Sequence, residues 1–361
     1  MDNIFTALSL SLMDRKRFVI STSNVNTLIK LLVNGILRKV CKFNESQIEV
    51  IDLLEYSNEE ELIRRCVKEI EGGEYELKNI LIWKNMQKVK PELQKILYML
   101  LTKIDLYDTN ESRHNPKPVI LKGYTINRPS LFTSITVLDN KLYHMKIDQY
   151  LKAKFWFSIN YVFEPNHEYE TKNIVFPLEN LTYIENILYL RNSIQKVYVK
   201  PDIQRYIYSL VIQVRNHRLC SLAPRQTRLS TRSIDDVLNL SKAMVVWQRH
   251  TSDDLFVTAD FVKVAMRKIG YWLVDWEYNT LYTSKELLPD RSANFDAEQV
   301  EEKDYQRRME ISMMTGSWFG SDYDYVKKYL LKSESTKDDS TPTGVTNIII
   351  EEALVAVRPP I

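Results

Sequence analysis

The chain has 361 residues, with 49 Lys and Arg against 47 Asp and Glu and a net charge of +2. Bulk charge therefore argues neither for nor against nucleic acid, and the length suits two or three domains with a large core. Its three cysteines (Cys41, Cys66 and Cys220) stand far apart, which excludes a disulfide framework and a cysteine zinc site, and none of its 8 glycines precedes a lysine, which excludes G-x-x-x-x-G-K-[ST].

The apolar N-terminus ends at Asp14-Arg15-Lys16-Arg17. It lacks the basic start of a signal peptide and is shorter than the about 20 apolar residues that span a bilayer. Residues 17–21 read as a buried strand, 22–26 as a polar turn, and 27–40 as a helix with Leu28, Leu31, Leu32 and Ile36 on one face. Residues 48–52 read as a second strand and 59–71 as a helix closed by Gly72-Gly73. A third strand over 80–83 precedes a helix opened by Pro91, and residues 131–139 and 154–161 supply two more strands. Strands alternating with helices predict a parallel α/β layer.

From Pro201 only helices are expected. Ile203, Ile207, Leu210, Val211 and Val214 form one stripe, Ser233 starts a helix to about Trp247, and Thr258 caps a third helix that Gly270 ends. Residues 332–344 read as a solvated linker. Beyond it, Ile350, Ala353, Leu354 and Val357 recur at helical spacing until Pro359-Pro360.

An ATP-hydrolysing sheet carries carboxylates after a strand like 80–83, where they hold Mg²⁺ and orient the attacking water. Here those places are Lys84 and Asn85. Residues 80–101, Ser230-Thr-Arg-Ser233 and Val257-Thr-Ala-Asp-Phe-Val262 resemble AAA+ ATPases of the MoxR and magnesium-chelatase kind. In that family such segments are the sensor-2 arginine motif and the start of a lid helix, so the resemblance puts Arg232 at the arginine place. It leaves only Ser21–Asn26 for the phosphate loop. Leu151-Lys-Ala-Lys-Phe-Trp-Phe157, Arg205-Tyr-Ile207, Arg215-Asn-His-Arg-Leu219 and Pro359-Pro360 resemble landmarks of the fungal maintenance of telomere capping protein family, second of its naming series. That resemblance implies a process, telomere capping, and no chemistry.

Residues 203–234 hold six arginines (205, 215, 218, 225, 228 and 232), His217 and no acidic residue. Arg225, Arg228 and Arg232 are candidate phosphate or nucleic-acid contacts. The other reading is a helix end whose Arg215 and Arg218 complement its dipole, followed by a loop paired with Asp235, Asp236 and Asp253. The five histidines share no ligand spacing, and His167-Glu168-Tyr169-Glu170 is not H-E-x-x-H.

The expectation is an α/β, P-loop-NTPase-like parallel sheet core. A degenerate AAA+-like domain is expected at 1–200, a helical lid at 201–275, a charged, weakly ordered extension at 276–345, and a docking helix at 346–361. No catalytic residue, cofactor or metal is expected. The function expected is a non-catalytic adaptor of nucleus or cytoplasm with protein partners, weak nucleic-acid contact at most and no membrane. Two other readings stand beside it: an ATPase subunit that completes its site with a neighbouring protomer, and weak DNA binding through the arginine loop.

Overall fold

The structure, a computed structural model, describes residues 2–56, 58–70, 74–109, 119–121, 123–140, 147–163, 181–222, 229–249, 254–274 and 346–360. Helix α1 (Asp2–Met13) is apolar on almost every side and lies in the core. Strand β1 (Phe18–Thr22) follows, and Asn24 then caps helix α2 (Val25–Lys30) by accepting from the Thr27 N–H at 3.1 Å. The helix widens into a π-helical stretch over Leu31–Val40 that buries Leu32, Ile36 and Leu37. Next come β2 (Ile48–Asp52), α3 (Glu59–Cys66), β3 (Val67–Ile70), β4 (Glu74–Leu77), β5 (Ile80–Lys84) and α4 (Pro91–Thr109). They are followed by β6 (Val119–Leu121), β7 (Tyr124–Asn127), β8 (Thr133–Asp139), α5 (Gln149–Lys152) and β9 (Phe157–Tyr161). The remaining elements are α6 (Tyr183–Ile194), α7 (Pro201–Asn216), α8 (Arg218–Leu222), α9 (Arg232–Gln248), α10 (Ala259–Leu273) and α11 (Ile348–Ala356).

The main sheet has the order β2-β5-β8-β1-β9, with every neighbouring pair parallel. Side chains alternate through it. Phe18 and Ile20 face a core built with α1, α2, α6, α7, α9 and α10, while Val19 faces a second core built with α3, α4 and Trp272. The helices beyond Pro201 thus share one continuous core with a sheet face, and Lys200, where a division is expected, is the residue before α7.

Three local expectations change. The helix expected over 59–71 ends at Cys66, because Val67–Ile70 pairs antiparallel with Glu74–Leu77 in a second sheet of order β3-β4-β7-β6. Val67, Ile70, Tyr75 and Leu77 around two glycines are the hairpin signal that the charged helix pattern obscured. Helix α10 runs past Gly270 to Leu273, and Thr258 at its start makes no side-chain capping bond. Gly270 is buried because Ile350 of α11 lies against it: a Cβ there would stand 2.5 Å from Ile350 Cδ1 and 2.9 Å from Cγ1. The linker expected at 332–344 lies outside the described residues.

Helix α11 docks on α7 and α10. Ile349, Ile350, Ala353 and Leu354 are buried, and Val357 packs at the margin. Arg267 grips Glu351 through two bonds of 2.7 Å, Tyr271 donates to the same carboxylate at 2.8 Å, and His217 Nε2 lies 3.0 Å from Glu352. Asn347 accepts from the Ile350 N–H and donates to the Val274 carbonyl. Deleting 346–361 is expected to lower the melting temperature and raise dye binding to apolar surface, since each fully buried aliphatic side chain contributes ~1.5–3 kcal/mol. Gly270→Val should cost about 1–3 kcal/mol, partly relieved by Ile350→Ala in the same chain. A truncation that melts at the full-length temperature would rule out docking in cis.

Candidate functional site

In a parallel α/β sheet ligands bind outside the carboxyl ends of the strands. That rim holds Thr22, Asp52, Lys84, Asn85, Asp139, Asn140 and Asn160. The connection from β1 to α2 is only Ser23 and Asn24. Asn24 is spent on the cap of α2, and no residue of this turn has positive φ. A phosphate cradle needs several free N–H groups on a loop able to turn left-handed, and this connection offers neither.

At the end of β5, Asn85 adopts the left-handed conformation (φ 63°, ψ 23°) that asparagine tolerates better than most residues. This turns its side chain towards β2, where Nδ2 donates to both carboxylate oxygens of Asp52 at 2.7 and 2.9 Å. Lys84 Nζ lies 3.1 Å from Asp52 Oδ2, and the Leu54 N–H donates to Oδ1 at 3.2 Å. Partial burial raises the Asp52 pKa, but the Asn85 amide, the Leu54 N–H and Lys84 together outweigh it and hold the carboxyl below its ordinary value. Asp52 is thus saturated by donors. The ammonium beside it would repel each charge of a metal ion 4 Å away by roughly 4 kcal/mol at an effective dielectric of 20.

On the other side of the rim, Asn140 Nδ2 donates to Asn160 Oδ1 at 2.8 Å. Asn140 follows β8 and Asn160 is the penultimate residue of β9, the two neighbours of β1, so the amide pair links the strands on either side of β1. The sequence reading missed Asp52, Asn140 and Asn160 as rim residues. Its one available signal was a polar residue at the end of each strand.

Arg232 lies elsewhere. Its Nε is 3.9 Å from Asp236 Oδ2, and Asp236 also meets Lys16 Nζ at 3.0 Å, while its backbone carbonyl accepts from Trp156 Nε1 at 3.0 Å. Lys16 and Trp156 precede β1 and β9, so Arg232 sits by the amino end of the sheet. A five-residue strand of ~16 Å separates that end from the rim of Lys84 and Asn85. Arg225 and Arg228 lie outside the described residues. Among the described residues no group of three or more His, Cys, Asp and Glu could hold a metal ion.

Comparison with known sequences gives a match. The chain resembles the yeast maintenance of telomere capping protein 2. It is 28% identical over 196 residues to that of Lachancea thermotolerans, covering 53% of this chain and 60% of the relative. It is 25% identical over 170 residues to that of Vanderwaltozyma polyspora, covering 45% of each. The chain spans about half the length of the curated relatives it matches. No family model matches it. Among solved structures it is similar to a candidate ATPase from Cytophaga hutchinsonii, with a TM-score of 0.54 and 14% identity over 84% of this chain and 88% of that one. That likeness shows the fold, a parallel α/β core flanked by helices.

Below the sheet a second carboxylate, Asp105, lies 2.6 Å from Arg17 Nη2 and 2.9 Å from Lys154 Nζ. Burial raises its pKa, and Arg17 and Lys154 more than reverse this. Both Asp52 and Asp105 titrate lower in the folded chain than in the unfolded one. Their stabilisation is therefore present above about pH 3.9 and lost as the pH falls through the folded values. Asp105→Asn should lower the urea midpoint at pH 7 and flatten its fall below about pH 4. Asp52→Asn should do the same more weakly, its ion pair being nearer to solvent. Urea melts of both variants across pH 2–7 check this, and an acid limb unchanged in both would remove these carboxyls from the explanation.

Proposed function

We propose that this protein is a non-catalytic, AAA-like adaptor or scaffold acting in telomere capping, in the nucleus or cytoplasm, through protein partners. The observation that carries this reading is the closed carboxyl rim. The places where an ATP-hydrolysing sheet would carry metal-binding carboxylates hold Lys84 and Asn85, both bound to Asp52, and the turn after β1 is two residues long with no positive φ. The process is drawn from the printed names of relatives that match over part of their length. No described helix is long and apolar enough to cross a membrane. A site completed by a neighbouring protomer is disfavoured by the same rim, where Asn85, Lys84 and the Leu54 N–H already take up the Asp52 carboxylate.

The purified protein is expected to release phosphate from Mg²⁺–ATP at the rate of buffer alone. Turnover that a Lys84→Glu change abolishes would refute the non-catalytic reading.

A second reading, weak DNA binding through Arg225, Arg228 and Arg232, is favoured by the run from 203 to 234 without an acidic residue. Neutralising three or four phosphates would give a log–log salt slope of about −3 on duplex DNA, lost when the three arginines become alanine. Tight, sequence-selective binding that survives the triple change would place the DNA site elsewhere.

A further inference from the structure

Helix α7 buries Ile203, Tyr206, Ile207, Leu210, Val211 and Val214, which leaves the opposite side of the helix to water. Along that side, Arg205, Tyr208, Ile212 and Arg215 recur at spacings of three, four and three. At 100° per residue these four fall within an arc of about 80°, so they form one straight stripe. Its centre is apolar: Tyr208 is 49% and Ile212 55% exposed. Its ends are cationic, with Arg205 80% exposed and Arg215 also at the surface. Gln204, Ser209, Gln213 and Asn216 flank it without charge, and the one carboxylate of the helix, Asp202 at its first turn, is already shared by Lys200 (3.1 Å) and Arg205 (3.4 Å).

We propose that this stripe is a docking surface for an amphipathic helix of a protein partner, apolar at its centre and acidic at both ends. The inference rests on the adaptor reading only in requiring a protein partner. Tyrosine, arginine and a large aliphatic group on one line are the side chains that anchor helix-on-helix contacts. Self-association is disfavoured by charge. A second copy packed antiparallel on the two-fold axis of a symmetric dimer would set Arg205 of one chain against Arg215 of the other. An incoming helix with Glu or Asp two to three turns apart meets both arginines and covers Tyr208 and Ile212 between them. Nucleic acid fits less well, since the stripe offers one aromatic ring and its two cations are separated by an aliphatic stretch.

The test uses the full-length protein and a labelled helix-forming peptide, with two leucines at i and i+4 in an alanine background and two glutamates at each end. Controls are a scrambled peptide of the same composition, a version with lysine for glutamate, and a single-stranded oligonucleotide. Saturable binding of the glutamate peptide is expected, stronger than both control peptides and weakened about tenfold or more by Tyr208→Ala with Ile212→Ala. Arg205→Glu with Arg215→Glu should invert the preference towards the lysine peptide. All four positions lie at the surface, so circular dichroism should show every variant folded, with a small fall in melting temperature only for the arginine changes, which set a second carboxylate beside Asp202. The proposal fails if the glutamate peptide binds no better than its controls, or if the variants bind it as the original does. It also fails if the oligonucleotide is the ligand that the arginine changes displace. ATP turnover measured on the same samples separates the two readings: turnover overturns the adaptor, whereas lost peptide selectivity without turnover overturns only this surface.

Discussion

Strands in a parallel sheet can be joined only by crossovers, so such a sheet must be covered on both faces before it is stable. The rest of this structure answers that requirement. β1, β5 and β8 are interior strands with almost no exposed side chain. Odd and even residues of β1 enter separate cores, one closed by α3 and α4, the other by α1, α2 and the helices after Pro201. The apolar N-terminus is explained by the same demand: α1 is one of the covering helices. Trp272 at the end of α10 enters the opposite core, its indole N–H bonded to the Lys152 carbonyl at 3.1 Å, which ties the last helices to both layers.

At the carboxyl rim the controlling quantity is donor and acceptor satisfaction. A carboxylate that ligates a metal must present free lone pairs, and those of Asp52 are taken up by Asn85, Lys84 and the Leu54 N–H. The same contacts join β2 to β5, so Lys84 and Asn85 serve strand pairing. Asn140 and Asn160 do the equivalent across β1. At this part of the rim the charge of Asp52 is balanced within the chain by Lys84.

The C-terminal helix shows how far a local rule can be overridden. Gly270 lowers the intrinsic stability of α10 by about 1 kcal/mol relative to alanine. It is tolerated because the missing side chain admits Ile350, and the contact is fixed by Arg267, Tyr271 and His217 on the acidic side of α11. The result is a single core assembled from segments more than seventy positions apart in sequence, as with Asn347 and the Val274 carbonyl.

The sequence by itself determined the periodic elements: β1, β2, β5, β8 and β9, the helices that begin at Pro91, Pro201 and Ser233 to within a residue, and the apolar stripe of α11. Each buries one face, and burial leaves a period in the order of residues. It also placed Lys84 and Asn85 at the carboxyl end of β5. Only the tertiary structure decided what those two side chains do, because Asp52 lies more than thirty positions away and is brought to them by sheet order. It likewise decided that Arg232 sits by the opposite end of the sheet, that Val67–Ile70 forms a strand, and that Gly270 is a notch and not a helix end. Each of these depends on a partner distant in sequence, and a pairing between distant segments leaves no period in either one.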